Sequence, residues 1–213
     1  MRTVDPAALA AKDRYRLLIG AVVPRPIAWI TTLGHGGVLN LAPFSFFNGV
    51  TASPPTLSVA IAHRDPVKDT LANLRASGEA VVHLAPPDQL PAVHQSGGEY
   101  AAAVSEVAEL GLATIPSSLV APARLACAQV AFECRLVREV PVGAPATALC
   151  LLEIVCAHLA DDIVGADGLP DPHLLAAPAR LGDRSYLAGE GWRVVDQAPQ
   201  VVPEALRVIR PPR

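Results

Sequence analysis

Three blocks within fifty residues decide the reading of this chain: PRPIAWITT (24–32), NLAPFSFFN (40–48) and HRDPVKDTLAN (63–73). In the first, Ile27 to Thr32 is a run of β-branched and aromatic residues, and the GHGG that begins at Gly34 supplies residues tolerant of positive φ. That combination predicts a hairpin running on into Val38 to Leu41. A further strand is expected at Thr56 to Ala62, after the stop signal Ser53-Pro54-Pro55. The third block predicts a helix with Asp65 as its N-cap and Pro66 in its first turn. Val67, Leu71 and Leu74 would form its apolar face, and Gly78 would end it.

Outward from these blocks, Glu79 to Leu84 is expected as a strand and Asp88 to Gln95 as a short helix. The stretch from Gly97 to Leu112 has the composition of a mobile loop with a helical turn around Ser105 to Glu109. Two long β runs follow, Ala128 to Val140 and Ala146 to Leu159, and the PVGAP between them predicts antiparallel pairing. From Pro170 the chain is rich in Pro and Gly and is expected to wrap the surface or a partner subunit. The 21 prolines are about twice the usual share of ~5% and fit many short strands joined by stiff turns. The fold class expected is mainly β with peripheral helices, a closed or split barrel.

At 213 residues the chain suits one domain. Charged residues make up only 17%, against a typical ~25%, and hydrophobic ones 51%, so apolar surface is expected to be covered in a subunit interface. Net charge is −3 with scattered cations, which gives no electrostatic footprint for nucleic acid. The N-terminal stretch is interrupted by Asp5, Lys12, Asp13 and Arg14, unlike a secretory leader. ATALCLLEIVCAHLA carries Glu153 and His158 and is shorter than the ~20 apolar residues of a membrane span. A cytoplasmic location with no membrane partner is expected. Cys127, Cys134, Cys150 and Cys156 have six, fifteen and five residues between neighbours. They form no C-x-x-C pair and are expected as buried thiols.

The chemistry-bearing candidates lie at the strand and helix ends of the three blocks. Asn40, Ser45 and Asn48 stand among Leu41, Phe44, Phe46 and Phe47, where such a segment either offers backbone N–H groups to a phosphate or ring edge or merely forms a bulge. At the helix start, Arg64, Lys68 and Thr70 join unpaired N–H groups and the positive end of the helix dipole, which suits an anion. Without a ligand these would be a solvated helix start. Thr31 and Thr32 end their strand with hydroxyls, Trp29 is expected in the core, and Arg25 between two prolines is placed to fix its backbone beside a ligand. His63 ends a strand next to Arg64 and is a contact candidate, whereas His83, His94 and His158 are expected to be structural. No H-x-x-x-H or H-E-x-x-H spacing occurs, so no metal is expected. Ser45 lies outside any G-x-S-x-G elbow, and no G-x-G-x-x-G or Walker loop is present.

Together the three blocks resemble the flavin reductase-like, FMN-binding split β-barrel family, flavoredoxins included, over about 17–186, with 187–213 as a C-terminal extension. The resemblance implies FMN lying against the barrel, its phosphate and ribityl held by residues matching Ser45, Arg64, Lys68, Asp69 and Thr70. Residues matching Thr31, Thr32, Ala42 and Asn48 would lie nearer the ring or ribityl. The segment ARLGDRSY resembles a family pattern whose Arg and Tyr, here Arg180 and Tyr186, approach the flavin near a dimer interface, but Asp183 stands where a second Gly is usual. The implied function is hydride transfer from NADH or NADPH to flavin in a homodimer, with a partner oxygenase as one possible destination for electrons. An electron carrier without its own nicotinamide chemistry, or a barrel that has lost the ligand, are the alternatives. No catalytic side chain is nominated, because the cofactor performs the redox step.

Overall fold

The computed structural model describes residues 1–182 and 185–188, so Asp183 and the extension beyond 188 lie outside the described residues. An N-terminal helix, α1 (Ala11–Ala21), leads into a two-residue strand, β1 (Arg25–Pro26). The first block then forms β2 (Ala28–Leu33), which turns through Gly36 and Gly37, both at positive φ, into β3 (Leu39–Phe44). The expected hairpin is therefore present, with Thr31 opposite Leu41 and Thr32 opposite Asn40. Next come β4 (Phe47–Ala52), β5 (Pro55–Ile61), α2 (Asp69–Ser77) and β6 (Glu79–Leu84). Two short helices follow, α3 (Leu90–Gln95) and α4 (Glu106–Glu109), then the small ribbon of β7 (Thr114–Ile115) and β8 (Arg124–Leu125).

The two long runs form β9 (Val130–Val142) and β10 (Thr147–Leu159), antiparallel over almost their whole length. The chain ends its described course in β11 (Ala179–Arg180), which returns to pair with β1, and β12 (Tyr186–Leu187), which pairs with β11. The seven-stranded sheet runs β3-β2-β6-β9-β10-β5-β4. Its two ends curl around one core, because Ala28, Ile30 and Phe44 from one end pack with Leu57, Val59 and Ile61 from the other. Leu71 and Leu74 of α2 close that core. A second apolar cluster, with Trp29, Leu41, Val93, Val107 and Leu125, covers the opposite face of the β2–β3 hairpin. Burial on both faces explains why IAWITT is apolar almost throughout rather than alternating.

Two expectations are corrected. The helix begins at Asp69 rather than at the Asp65-Pro66 pair, because Lys68 is still extended at φ −59°, ψ 137°. Val67 is consequently exposed, while Leu71 and Leu74 stay buried and Gly78 ends the helix at φ 72°. The 97–112 stretch is anchored to β3: Ser105 Oγ donates to Leu39 O at 2.6 Å, and the Leu41 N–H donates to Glu106 Oε2 at 2.9 Å. Among the described residues no helix is long and apolar enough to cross a membrane.

Candidate functional site

A cleft of about 520 Å³ opens where the end of the β2–β3 hairpin meets the start of α2. One wall is the segment Arg64 to Thr70, a second is Ser96 to Ala102, and Asn40, Ala42 and Glu106 lie between them. The second and third blocks meet here because the curl of the sheet brings β3 beside the chain leaving β5.

Of the residues nominated from sequence, Asn40, Ala42, Arg64, Lys68, Asp69 and Thr70 line this cleft. Behind the lining is a chain of side-chain hydrogen bonds. Asn40 Nδ2 donates to Thr70 Oγ1 at 3.0 Å and to Thr32 Oγ1 at 3.2 Å, and Asn73 Nδ2 donates to Thr32 Oγ1 at 3.1 Å. Thr32 therefore stands one residue back, holding the asparagine whose amide faces the cleft. Each of these buried polar groups has a partner, so the network fixes rotamers at the cleft wall.

The other nominated residues lie elsewhere. Thr31 points to the opposite face of β2 and donates to Ala123 O at 2.8 Å. Ser45 accepts from Arg25 Nε at 3.4 Å, Asn48 accepts from the Gly49 N–H at 2.9 Å, and His63 is exposed. Arg25 is itself buried. Its guanidinium donates to the carbonyls of Ile19, Val22 and Leu181 at 2.7, 2.7 and 2.8 Å, which makes it a backbone clamp. Arg180 stacks on the Tyr186 ring at 4.6 Å and donates to its hydroxyl, which also lies 2.9 Å from His94 Nδ1. This trio ties the returning chain to α3, just ahead of the Ser96 wall.

The electrostatics of the cleft centre on Lys68. Burial and the neighbouring Arg64 push its ammonium below the ordinary lysine range, with partial relief from Glu99. Its Nζ lies 5.3 Å from the centre of the Phe44 ring. Among the described residues no carboxylate lies within ion-pair distance of it. Arg64 is paired with Glu99 at 2.6 Å, both exposed at the rim. Glu106, which sequence reasoning passed over, is buried in the wall. Burial pushes its carboxyl up, the Leu41 N–H opposes that rise, and Asp69 adds to it. The only sequence signal for Glu106 is an acid set in the apolar run AVSEVAELGLA.

Three similarities bear on this arrangement. The chain is 37% identical over 189 residues to an uncharacterized protein of Halalkalibacterium halodurans, covering 86% of this chain and 90% of that one. The crystal structure of nitrilotriacetate monooxygenase component B from Bacillus cereus superposes with a TM-score of 0.85 at 32% identity, over 91% of this chain and 98% of that one. The 2-nitrobenzoate 2-nitroreductase of Pseudomonas fluorescens superposes with a TM-score of 0.86 at 27% identity, over 96% and 100% of the two chains. The family model described as flavin reductase like domain matches residues 19–181, spanning the curled sheet and the cleft. By that match over most of its length, the chain belongs to the flavin reductase like domain family.

Proposed function

We propose that the cleft binds FMN and that the protein is an NAD(P)H-dependent flavin reductase. The observation that carries this reading is Lys68. A cation desolvated in a cleft wall, stacked on Phe44 and repelled by Arg64, is stabilised by an anion arriving between them. A phosphate monoester of about −1.5 to −2 charge supplies it. The residues fit the group in other respects too. The cleft volume of about 520 Å³ falls in the ~300–1,000 Å³ range of small-molecule sites. The first turn of α2 adds N–H donors, and the Asn40 and Thr70 side chains offer polar contacts for a ribityl chain.

When bound, FMN supplies the hydride-accepting chemistry. The chain's own work is positional. Lys68 and Arg64 hold the phosphate, Arg64 exchanging its exposed partner Glu99 for the ligand. The Thr32–Asn40–Thr70 network holds the Asn40 amide in one rotamer. Glu106 would fix the β3 backbone at Leu41, so the strand beside the cleft does not shift.

A homodimer belongs to the same proposal. Strand β4 is an exposed sheet edge, and the Tyr15–Phe46 contact at 6.5 Å sets α1 beside it. Tyr15 and Leu18 on α1, Val22 just after it and Val50 on β4 are all exposed, an apolar surface that a second copy would cover. The likeness to a monooxygenase component supports delivery of reduced flavin to a partner oxygenase, and we place the protein in the cytoplasm.

The test is the visible spectrum of the purified protein under anaerobic conditions, with any released flavin identified by chromatography, before and after NADH or NADPH. Flavin that bleaches on addition is the expected outcome. Flavin that stays oxidised would make the protein a carrier served by another reductant. A colourless protein that takes up no added FMN would remove the cofactor.

A further inference from the structure

Away from the cleft, the β9–β10 hairpin brings together three side chains of metal-binding type: Glu133, Cys156 and His158. Cys156 and His158 are two residues apart on β10 and share one face of the sheet. Glu133 of β9 is the register partner of Cys156, and its neighbour Ala131 is the partner of His158. This juxtaposition depends on a register shift between Ile154 and Cys156. Ile154 pairs with Cys134, so unbroken pairing would set Val155 opposite Glu133 and turn Cys156 and His158 to the other face. The extra residue re-aims both, which is what bulges do beside functional sites.

The three candidate ligand atoms all lie within 4.8 Å of one another. His158 Nε2 is 2.6 Å from Glu133 Oε1 and 3.6 Å from Cys156 Sγ, so both other donors converge on the same imidazole nitrogen. A serial relay from thiol through imidazole to carboxylate would use the two ring nitrogens in turn. Here both partners meet one nitrogen, which gathers all three donor atoms into one compact cluster.

Glu133 is fully buried, and its carboxylate accepts the Ser118 N–H at 2.7 Å and the Leu119 N–H at 2.6 Å. These main-chain donors fix the orientation of the carboxylate and leave it one lone pair to spare. Cys156 and His158 are half-buried, which leaves an approach from solvent.

We propose that Glu133, Cys156 and His158 form a site for a thiophilic divalent cation, zinc in preference to magnesium or calcium, with an open fourth position. One sulfur, one imidazole nitrogen and one carboxylate oxygen match the donor preferences of zinc, whose bonds of about 2.0–2.3 Å fit inside the triangle of donors after a small outward adjustment. Binding converts the Cys156 thiol to thiolate with release of its proton. The proton on His158 Nε2 moves to Nδ1.

The test uses the full chain, stripped with a chelator and then equilibrated with zinc. Bound metal is counted per chain, and its environment is read by X-ray absorption. One zinc per chain with a sulfur neighbour at about 2.3 Å is expected. Cys156→Ala should remove the sulfur signal and weaken binding at least tenfold, and His158→Gln should weaken it comparably while flavin content is unchanged. Both positions are half-buried, and thermal unfolding verifies that the variants fold. Failure of wild type to hold zinc, a sulfur-free zinc environment, or unchanged affinity in both variants would overturn the proposal. The wild-type absorption measurement alone decides it if a variant does not fold.

Discussion

Thr31 and Thr32 are adjacent on β2 and equally buried, yet they serve different regions of the molecule. Thr31 faces the cluster around Trp29, where Thr31 and His83 are both closed off by main chain. Its hydroxyl meets Ala123 O, His83 Nδ1 meets Trp29 O at 2.8 Å, and His83 Nε2 meets the Leu125 N–H at 3.0 Å. Thr32 faces α2, where side chain meets side chain and the series ends at the cleft through Asn40 and Thr70. Polar groups saturated by backbone lock two segments together and have no capacity left for a ligand. A side-chain network open at one end holds a wall in place and still presents polar atoms to the cleft.

The largest expected effect tests the closed region. Trp29 O accepts only and the Leu125 N–H donates only, so His83 is fixed as the neutral tautomer with its proton on Nδ1. Burial lowers its pKa to about 4, from 6.5 in an exposed chain. The unfolded state therefore binds more protons between those values. The contribution is fully present above about pH 6.5 and is lost as pH falls towards 4, on the order of 3 kcal/mol in all. Denaturant unfolding at a series of pH values measures it, and His83→Gln should flatten the acid limb. A wild-type stability that does not fall across that window would mean that the region opens locally before it protonates.

Next in size is the open region. Lys68→Ala should weaken FMN binding at least about fivefold, roughly 1 kcal/mol or more, with little change in thermal stability. Equilibrium flavin titration reads this directly, and an unchanged affinity would take Lys68 out of the phosphate site. The smallest and most discriminating pair is Thr31→Val against Thr32→Val. Each should cost about 1 kcal/mol of stability through lost hydrogen bonds. Only Thr32→Val should alter flavin affinity, by a few-fold, because Asn40 loses its support. Equal flavin affinities in the two variants would erase the distinction drawn here.

Much of this was legible before the fold was known, and the reason is local. The β2–β3 and β9–β10 hairpins follow from β-branched runs separated by Gly- and Pro-containing turns, and α2 ends where Gly78 allows positive φ. The Arg64–Lys68–Thr70 group was legible because cations and a hydroxyl cluster around one helix start. What was not legible depends on partners distant in sequence. Glu106 and Glu133 are buried acids whose N–H donors come from Leu41 and from Ser118 and Leu119, on other segments. The start of α2 slipped from Asp65 to Asp69 because the intervening residues form the cleft wall, a tertiary demand that capping rules do not contain. The differing roles of Thr31 and Thr32 depend on which face the sheet turns to α2, and two adjacent threonines look alike until it does.

The Arg25 clamp has a consequence for how the chain tolerates change. One guanidinium grips the last turn of α1 at Ile19, the connector at Val22 and the returning segment at Leu181, so the N-terminal helix and the returning segment are moored to a single post. Length can be added or removed in the exposed turn at 166–170 without disturbing that mooring. A substitution at position 25, by contrast, would release α1 and the returning segment together, although more than 150 residues separate the carbonyls it holds.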